Sequence, residues 1–457
     1  MRPLTAQWVA NAVGGTLAAD VEAVVTSVVK DSREVTPGAL YVAFVGERVD
    51  GHDFASAAAA AGAELCLVSQ HVDAPHVLVD DVEAALGMLA RAYLALLRTE
   101  GDITVIAITG SNGKTTTKDL VAQVLPDVVA PLGSFNNEIG MPLTVLAADS
   151  TTRHLVLEMG ASGPGHIAYL TSIAAPDVAV VLMVGTAHAG GYEDAGDIAR
   201  AKAEIVQGLV PGGVAILNRD DAAVAAMAPL AQRVVTFGMG GNADVVASGL
   251  TLDHGRASFV PVVRGVEGER VTLTLVGEHH VTNALAALAV AVECGLEPTA
   301  AARAIAAAPP LSEHRMAVTE RGDGITVIDD SYNASPESMR AAFRALLDVA
   351  EGGRTFAVVG EMLELGAASR DAHWDVGHNA VRLGIDHLLV VGEGAKPAFD
   401  AAVREGSWGD EAAFVGSIDD ARSYLADRLT SGDTVLVKGS HGSGLYQLAS
   451  DLVKENA

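Results

Sequence analysis

The stretch Ile103-Thr104-Val105-Ile106-Ala107-Ile108-Thr109-Gly110-Ser111-Asn112-Gly113-Lys114-Thr115-Thr116-Thr117-Lys118-Asp119-Leu120 decides the fold. An apolar, β-branched run reads as a buried strand, the glycine-bounded turn as a loop, and Lys114 as the opening of a helix. Glycines let backbone N–H groups turn toward a phosphate, and a helix N-terminus adds partial positive charge there. Lys114 can neutralise β- and γ-phosphates, and the Thr115 hydroxyl can reach a Mg²⁺ ion. Gly110, Ser111, Asn112, Gly113, Lys114, Thr115 and Thr116 are therefore the expected ATP-binding residues. The full pattern for such loops carries a glycine at 108, and this chain has Ile108, so the loop is a shortened G-x-x-G-K-T. A chance glycine-rich turn is the bland reading, and the strand–loop–helix setting speaks against it.

Outward from this loop the same alternation repeats. HLVLEM (154–159) runs into HIAYLTSIA, VAVVLMV (178–184) precedes DAGDIARAKAEIVQGLV, and VAILN (214–218) precedes DAAVAAMAPL, read as one more helix. Apolar runs bounded by glycine and separated by helices predict a parallel sheet covered on both faces. A β-rich patch at 245–276 and the helix of ALAALAVAVECG close this unit. From about 312 the alternation starts again with ITVIDD, TFAVVG, HLLVVG, AAFVG and TVLVKGS, each followed by a helix, the first beginning at Pro336. That is a second doubly wound α/β unit. Before the loop, VVTSVV, ALYVAFVG, ELCLVS and HVLVD predict strands, with helices over 53–61 and 82–97. The expected organisation is α/β in three domains, 1–100, 101–311 and 312–457, with Ala308-Pro309-Pro310 as a hinge between the last two.

Composition bounds the function. The 457 residues are 50% hydrophobic and 19% charged, enough apolar material for large cores and too little charge for disorder. Thirty Lys and Arg against 57 Asp and Glu give a net charge of −27. Such a chain is repelled by nucleic acid and by anionic membranes. Cys66 and Cys294 have neither a disulfide framework nor zinc spacing. The N-terminus lacks a signal-peptide layout, and the alanine-rich runs are broken before membrane-spanning length. A cytoplasmic protein without membrane insertion is expected.

Four further residues draw attention by position. Glu158 ends the strand HLVLEM, in the same predicted sheet as the phosphate loop, where a carboxylate at a strand's C-terminal end can hold Mg²⁺; the alternative is a solvated strand-end acid. His188 also follows a strand end, although a lone histidine is more often structural than a ligand. Lys202 sits among Ala199, Ala201 and Ala203 on a helix, where a surface lysine is the ordinary reading. Asn283 opens the alanine-rich helix and alone reads as a cap.

The short loop resembles the ATP loop of Mur ligases and folylpolyglutamate synthases. Ser134-Phe135-Asn136-Asn137-Glu138-Ile139-Gly140-Met141-Pro142-Leu143-Thr144 is similar to the Asn-Asn-x-Ile-Gly-x-Pro signature of the Mur ligase family. Asp330-Ser331-Tyr332-Asn333-Ala334-Ser335-Pro336 and Gly360-Glu361-Met362-Leu363-Glu364-Leu365-Gly366 resemble stretches of its branch that adds D-alanyl-D-alanine. Ser335 stands where that branch usually has Asn, His441 where it has Arg, and His280 replaces the first Asn of its Asn-x-x-Asn-Ala stretch.

The resemblance implies a UDP-substrate-binding N-terminal domain, a central ATP-binding domain and a Rossmann-like C-terminal domain that binds the incoming amino substrate. It implies a monomeric ATP-dependent ligase of peptidoglycan synthesis that joins D-alanyl-D-alanine to UDP-N-acetylmuramoyl-tripeptide through an acyl phosphate. It assigns Thr115, Glu158, His188 and a carbamylated Lys202 to two Mg²⁺ ions, and Lys114, His188, Lys202 and Arg315 to catalysis. Asn283 would contact adenine, Arg315 the γ-phosphate on domain closure, and Asp330 the ribose. Ser32, Arg33, Asn136, Asn137, Tyr332 and Asn333 would bind the other substrates. Two alternatives stay open: an amide ligase of Mur or folylpolyglutamate type with another amino substrate, and a P-loop NTPase working as motor, switch or kinase.

Overall fold

The computed structural model describes residues 1–46, 48–131, 133–185, 195–406 and 411–454. Among the described residues three large sheets organise it, beside a two-stranded antiparallel pair of Leu4–Thr5 with Val24–Val25. The first has five strands in the order Thr16–Ala18, His76–Leu78, Ala63–Val68, Ala39–Val42, Ser27–Val29, parallel except at the first pair. A helix at Ala6–Val13, unanticipated from the sequence, is capped by Thr5 and ended by left-handed Gly14.

The central sheet holds the phosphate loop. Its strands run Val128–Val129, His154–Glu158, Thr104–Thr109, Val178–Val181, Val214–Asn218, Arg233–Gly238 and Val245–Asp253, all parallel. Arg256–Val263, Val266–Glu267 and Val271–Val276 continue it antiparallel. The strands His154–Glu158, Val178–Val181 and Val214–Asn218 are buried at every position, as a sheet covered on both faces requires. Covering helices include Lys114–Val124, His279–Glu293 and Pro298–Ala307. The stretch 221–230 is not one helix: Ala222–Ala225 and a 3₁₀ turn at Ala228–Leu230 replace it, since Pro229 lacks an N–H for continuation. The helix Val82–Glu100 shares one apolar core with the central sheet, through Leu86, Leu89, Tyr93, Val105, Leu155 and Leu170, so the first two units are welded together.

The third sheet runs Ala317–Glu320, Thr326–Asp330, Thr434–Lys438, Thr355–Val359, His387–Val391, Ala412–Val415, antiparallel only at its first pair. Helices Pro336–Ala350, Ser369–Leu383, Lys396–Glu405, Ile418–Ala426 and Leu445–Lys454 accompany it. Pro336 takes the first helical position and Ser335 and Ser338 cap it reciprocally. No described helix is long and apolar enough to cross a membrane.

Candidate active site

Strand order builds the site. Thr104–Thr109 lies between His154–Glu158 and Val178–Val181, with Glu158 in register with Ile108 and Thr109 with Val181. The loop after Thr109 therefore has Glu158 on one flank and the segment after Val181 on the other. Gly113 caps the helix Lys114–Val124 at φ 85°, and a Cβ there would lie 2.4 Å from Asn283 Oδ1. Only glycine meets both demands. Ser111 ties the far flank: its Oγ donates to Gly185 O at 3.2 Å and accepts from Gly185 N at 2.8 Å. Lys114 Nζ curls back to donate to Gly110 O at 2.8 Å. Burial pushes its pKa below the ordinary lysine value, Glu158 opposes that shift and Arg315 adds to it.

Around Glu158 the side chains form one connected group. Thr115 Oγ1 donates to Glu158 Oε2 at 2.9 Å, and Asn136 Nδ2 donates to Oε1 at 2.9 Å. Ser134 Oγ lies 3.0 Å from Thr115 Oγ1 and 3.4 Å from Glu158 Oε1. Arg315 reaches in from beyond the central unit, donating to Ser134 Oγ at 3.1 Å with its guanidinium 4.2 Å from the Tyr332 ring centre. Hydroxyl and carboxylate oxygens converging beside a lysine and an arginine form a hard-donor set suited to Mg²⁺ and phosphate oxygens.

The cavity, of about 450 Å³, is closed on one side by the third sheet. Asp330 and Lys438 end neighbouring strands in register and pair at 2.6 Å. Lys438 Nζ also donates to Asn333 O at 2.8 Å, and Asn112 Nδ2 donates to Ser335 Oγ at 3.1 Å across the two units. At the other end, Asn283 is no cap. The helix begins at His279, and Asn283 lies one turn inside it, buried, with Nδ2 3.2 Å from His280 Nδ1. Burial drops the His279 pKa to about 4, and His280 falls well below its ordinary value for the same reason. Both rings are neutral at physiological pH, with centres 4.1 Å apart and planes tilted by 40°.

Of the phosphate loop, Ser111, Asn112, Gly113, Lys114, Thr115 and Thr116 line the cavity, and Glu158, Asn136, Asn283, Arg315, Asp330, Tyr332 and Asn333 share it with them. Asn137 stands beside it, its Oδ1 accepting Gly140 N at 2.9 Å to start the helix Gly140–Ala147. Ser32 and Arg33 are on the first unit, on a 3₁₀ turn at Ser32–Glu34. Arg33 pairs with Asp31 at 2.6 Å, and that hydrogen bond draws Asp31 down to about 2. Lys30 sits 5.4 Å from the Phe135 ring centre, joining that region to the Ser134–Asn136 loop. His188 lies outside the described residues. Lys202 is not the surface lysine that its flanks suggest: it is 4% exposed, and burial together with the Lys114 charge lowers its pKa to about 7. Ser134, Lys438 and His279 were not singled out from sequence. Ser134 opens the quoted Asn-Asn stretch, and Lys438 is a lysine closing an apolar run, which is signal enough to flag both.

Comparison with known proteins agrees with this geometry. Residues 108–291 match the Mur ligase middle domain, 314–441 the Mur ligase glutamate ligase domain, and 24–94 the Mur ligase family catalytic domain. The chain belongs to the Mur ligase family. This Mur ligase is 44% identical to UDP-N-acetylmuramoyl-tripeptide--D-alanyl-D-alanine ligase of Mycobacterium tuberculosis (strain ATCC 25618 / H37Rv), covering 100% of this chain and 99% of the relative. It is 34% identical to the Bacillus subtilis protein of the same name, covering 98% of each chain. Among solved structures, MurF from Acinetobacter baumannii superposes with a TM-score of 0.89 at 30% identity, covering 100% of both chains. MurF ligase from Thermotoga maritima in complex with ADP gives 0.81 at 30% identity, covering 94% of this chain and 97% of that one.

Proposed function

We infer that this Mur ligase joins D-alanyl-D-alanine to UDP-N-acetylmuramoyl-tripeptide at the expense of ATP, a carbon–nitrogen ligation in peptidoglycan precursor synthesis. The observation that carries the reading is the single cavity in which Lys114 and Glu158 of the central unit face Arg315, Asp330 and Tyr332 of the third. Relatives matching over the whole chain and bearing this activity in their names support it. ATP and a nucleotide-linked sugar are cytoplasmic metabolites, and that is where the reaction belongs.

A carboxylate is a poor electrophile, so the tripeptide's terminal carboxylate first attacks the γ-phosphorus of ATP, giving an acyl phosphate and ADP. Lys114 and Arg315 bring positive charge to the transferring phosphoryl group. Glu158 and Thr115 would hold Mg²⁺, with His188 and a carbamate on Lys202 assigned to a second ion; when bound, Mg²⁺ screens the phosphate oxygens. Asn136 orients the Glu158 carboxylate through its 2.9 Å hydrogen bond. Asn283 and the neutral His279 and His280 offer an uncharged wall for the adenine, and Asp330 an acceptor for ribose hydroxyls. The free amine of D-alanyl-D-alanine then attacks the acyl carbon, and the tetrahedral adduct expels phosphate to leave the amide. Burial of the acyl phosphate between the two units keeps water from hydrolysing it. No covalent enzyme nucleophile takes part.

Phosphate release should require UDP-N-acetylmuramoyl-tripeptide and D-alanyl-D-alanine together, measured with acceptors offered one at a time. Equal turnover with ATP alone would mark a motor or switch, and turnover with folate and glutamate a folylpolyglutamate-type ligase. Thr115→Ala should move the Mg²⁺ titration of phosphate release to higher metal concentration; an unchanged half-point would remove Thr115 from the metal site.

A further inference from the structure

The helix behind the phosphate loop carries a buried ion pair that the chemistry above does not use. Lys118 is 1% exposed; its Nζ donates to Pro131 O at 2.8 Å and meets Asp119 Oδ1 at 2.5 Å. The other Asp119 oxygen accepts from Ser312 Oγ, also at 2.5 Å. One turn on, Gln123 Nε2 donates to Pro309 O at 3.2 Å. The same helix that starts at the phosphate loop therefore grips two other segments. Lys118 holds the start of the loop that carries Ser134 and Asn136. Asp119 and Gln123 hold the connection that carries Arg315.

Arg315 has an unusual backbone setting. His314 and Met316, on either side, have φ of 59° and 53°, conformations that cost non-glycine residues free energy and persist where surrounding contacts hold them. Downstream, the holding contacts belong to the third unit: His314 Nδ1 to Asp329 Oδ2 at 2.7 Å, Met316 N to Asp330 Oδ1 at 3.2 Å, and Tyr332 N to His314 O at 3.1 Å. Upstream, among the described residues, the Ser312–Asp119 bond is the tie made by a charged group from this connection to the phosphate-loop helix, three residues before Arg315. A hydrogen bond to a buried carboxylate is short, strong and directional.

We propose that Asp119, buttressed by Lys118 and bonded to Ser312, is a positioning residue that sets Arg315 against the phosphate loop. Asp119 does not touch the reacting atoms. It fixes the distance between the helix that presents Lys114 and the backbone that presents Arg315, while Lys118 fixes Ser134, the hydroxyl to which Arg315 donates. This deepens the ligase reading and rests on it.

The test is a double-mutant cycle with Arg315. Ser312→Ala removes one hydroxyl from a partly exposed connection, and Asp119→Asn removes the charge at nearly constant shape. In the wild-type background each should lower kcat roughly tenfold, because catalytic groups displaced by a fraction of an ångström lose much of their effect. KM for ATP should change less than kcat, the melting temperature of Ser312→Ala should stay at the wild-type value, and Ser312→Thr should restore the rate. In an Arg315→Lys background the same changes should cost less than about twofold, since the group they position is already displaced. Losses that multiply fully in both backgrounds, or a Ser312→Ala enzyme with wild-type kcat, would overturn the proposal. Should Asp119→Asn fail to fold, Ser312→Ala decides alone. Failure of the ligase reading looks different: the wild-type enzyme would then release phosphate without regard to acceptor.

Discussion

Lys114→Ala is expected to lower turnover at least about a hundredfold while leaving the fold intact, equivalent to about 2.7 kcal/mol of lost transition-state stabilisation. The ammonium is half-buried at the base of the phosphate loop, where its attraction for phosphate oxygens is less weakened by water than at an open surface. Its pKa is depressed first by that burial, and the like charge of Arg315 adds to the depression, so the site has already taken on the cost of a poorly solvated cation. A bound polyphosphate reverses the balance, since its negative charge favours the protonated amine. Arg315 cannot replace Lys114, because its guanidinium is engaged elsewhere, bonded to Ser134 and lying over the Tyr332 ring. The expected signature is a loss in kcat with an unchanged melting temperature, because among the described residues the hydrogen bonds of this half-buried cation go to loop carbonyls, and removing it does not open the apolar core. Wild-type turnover by Lys114→Ala would mean that the loop does not hold the reacting phosphate.

The physics of local sequence explains which parts of this site could be read in advance. Apolar runs bounded by glycine gave the parallel strands, because a strand buried on both faces needs no polar alternation. The loop at 110–116 was legible because glycine, lysine and threonine each have a separate physical role at those spacings. Strand order was not legible. Nothing in the local periodicity of HLVLEM and VAVVLMV states that Thr104–Thr109 lies between them, yet that order is what puts Glu158 beside Thr115. Asn283 misled because residues with cap chemistry also serve inside helices when a buried neighbour needs their amide. Here His280 and Thr117 supply that need. Arg315 lies in a connection with positive φ on both sides, a conformation that propensity does not anticipate. Lys202 carried a signal that its alanine flanks concealed. Ile198, Ala201, Ile205 and Val206 are buried at helical spacing, and Lys202 falls on that same stripe. A lysine on the apolar face of an amphipathic helix either snorkels to solvent or has a use for burial.

Lys202→Arg is expected to be as damaging as Lys202→Ala, and the reason lies in that burial. An ordinary lysine has a pKa of about 10.4 and is almost wholly ammonium at neutral pH. Here burial and the neighbouring Lys114 charge bring the value to about 7, so a large fraction of the amine is neutral at physiological pH. Only the neutral amine adds to CO₂, forming a nitrogen–carbon bond and releasing one proton to give a carbamate. That product reverses the sign of the charge and offers two oxygens, the donor type that Mg²⁺ prefers. A cation of fixed charge at the same place would repel both metal and Lys114. Arginine keeps that fixed charge and cannot form the carbamate, so both substitutions should lose activity to a similar extent, at least about a hundredfold if the group holds metal during phosphoryl transfer. Activity of the wild-type enzyme should fall in CO₂-free buffer and return with bicarbonate, and ¹³C-labelled bicarbonate should give a carbamate resonance that Lys202→Arg lacks. Added short-chain carboxylic acids should partly rescue Lys202→Ala, by placing a carboxylate in the vacated volume, and should not rescue Lys202→Arg, whose guanidinium fills it. Near-normal turnover by Lys202→Arg would sink the carbamate and leave Lys202 as a buried cation, while the ligase assignment would continue to stand on the Lys114, Glu158 and Arg315 cavity.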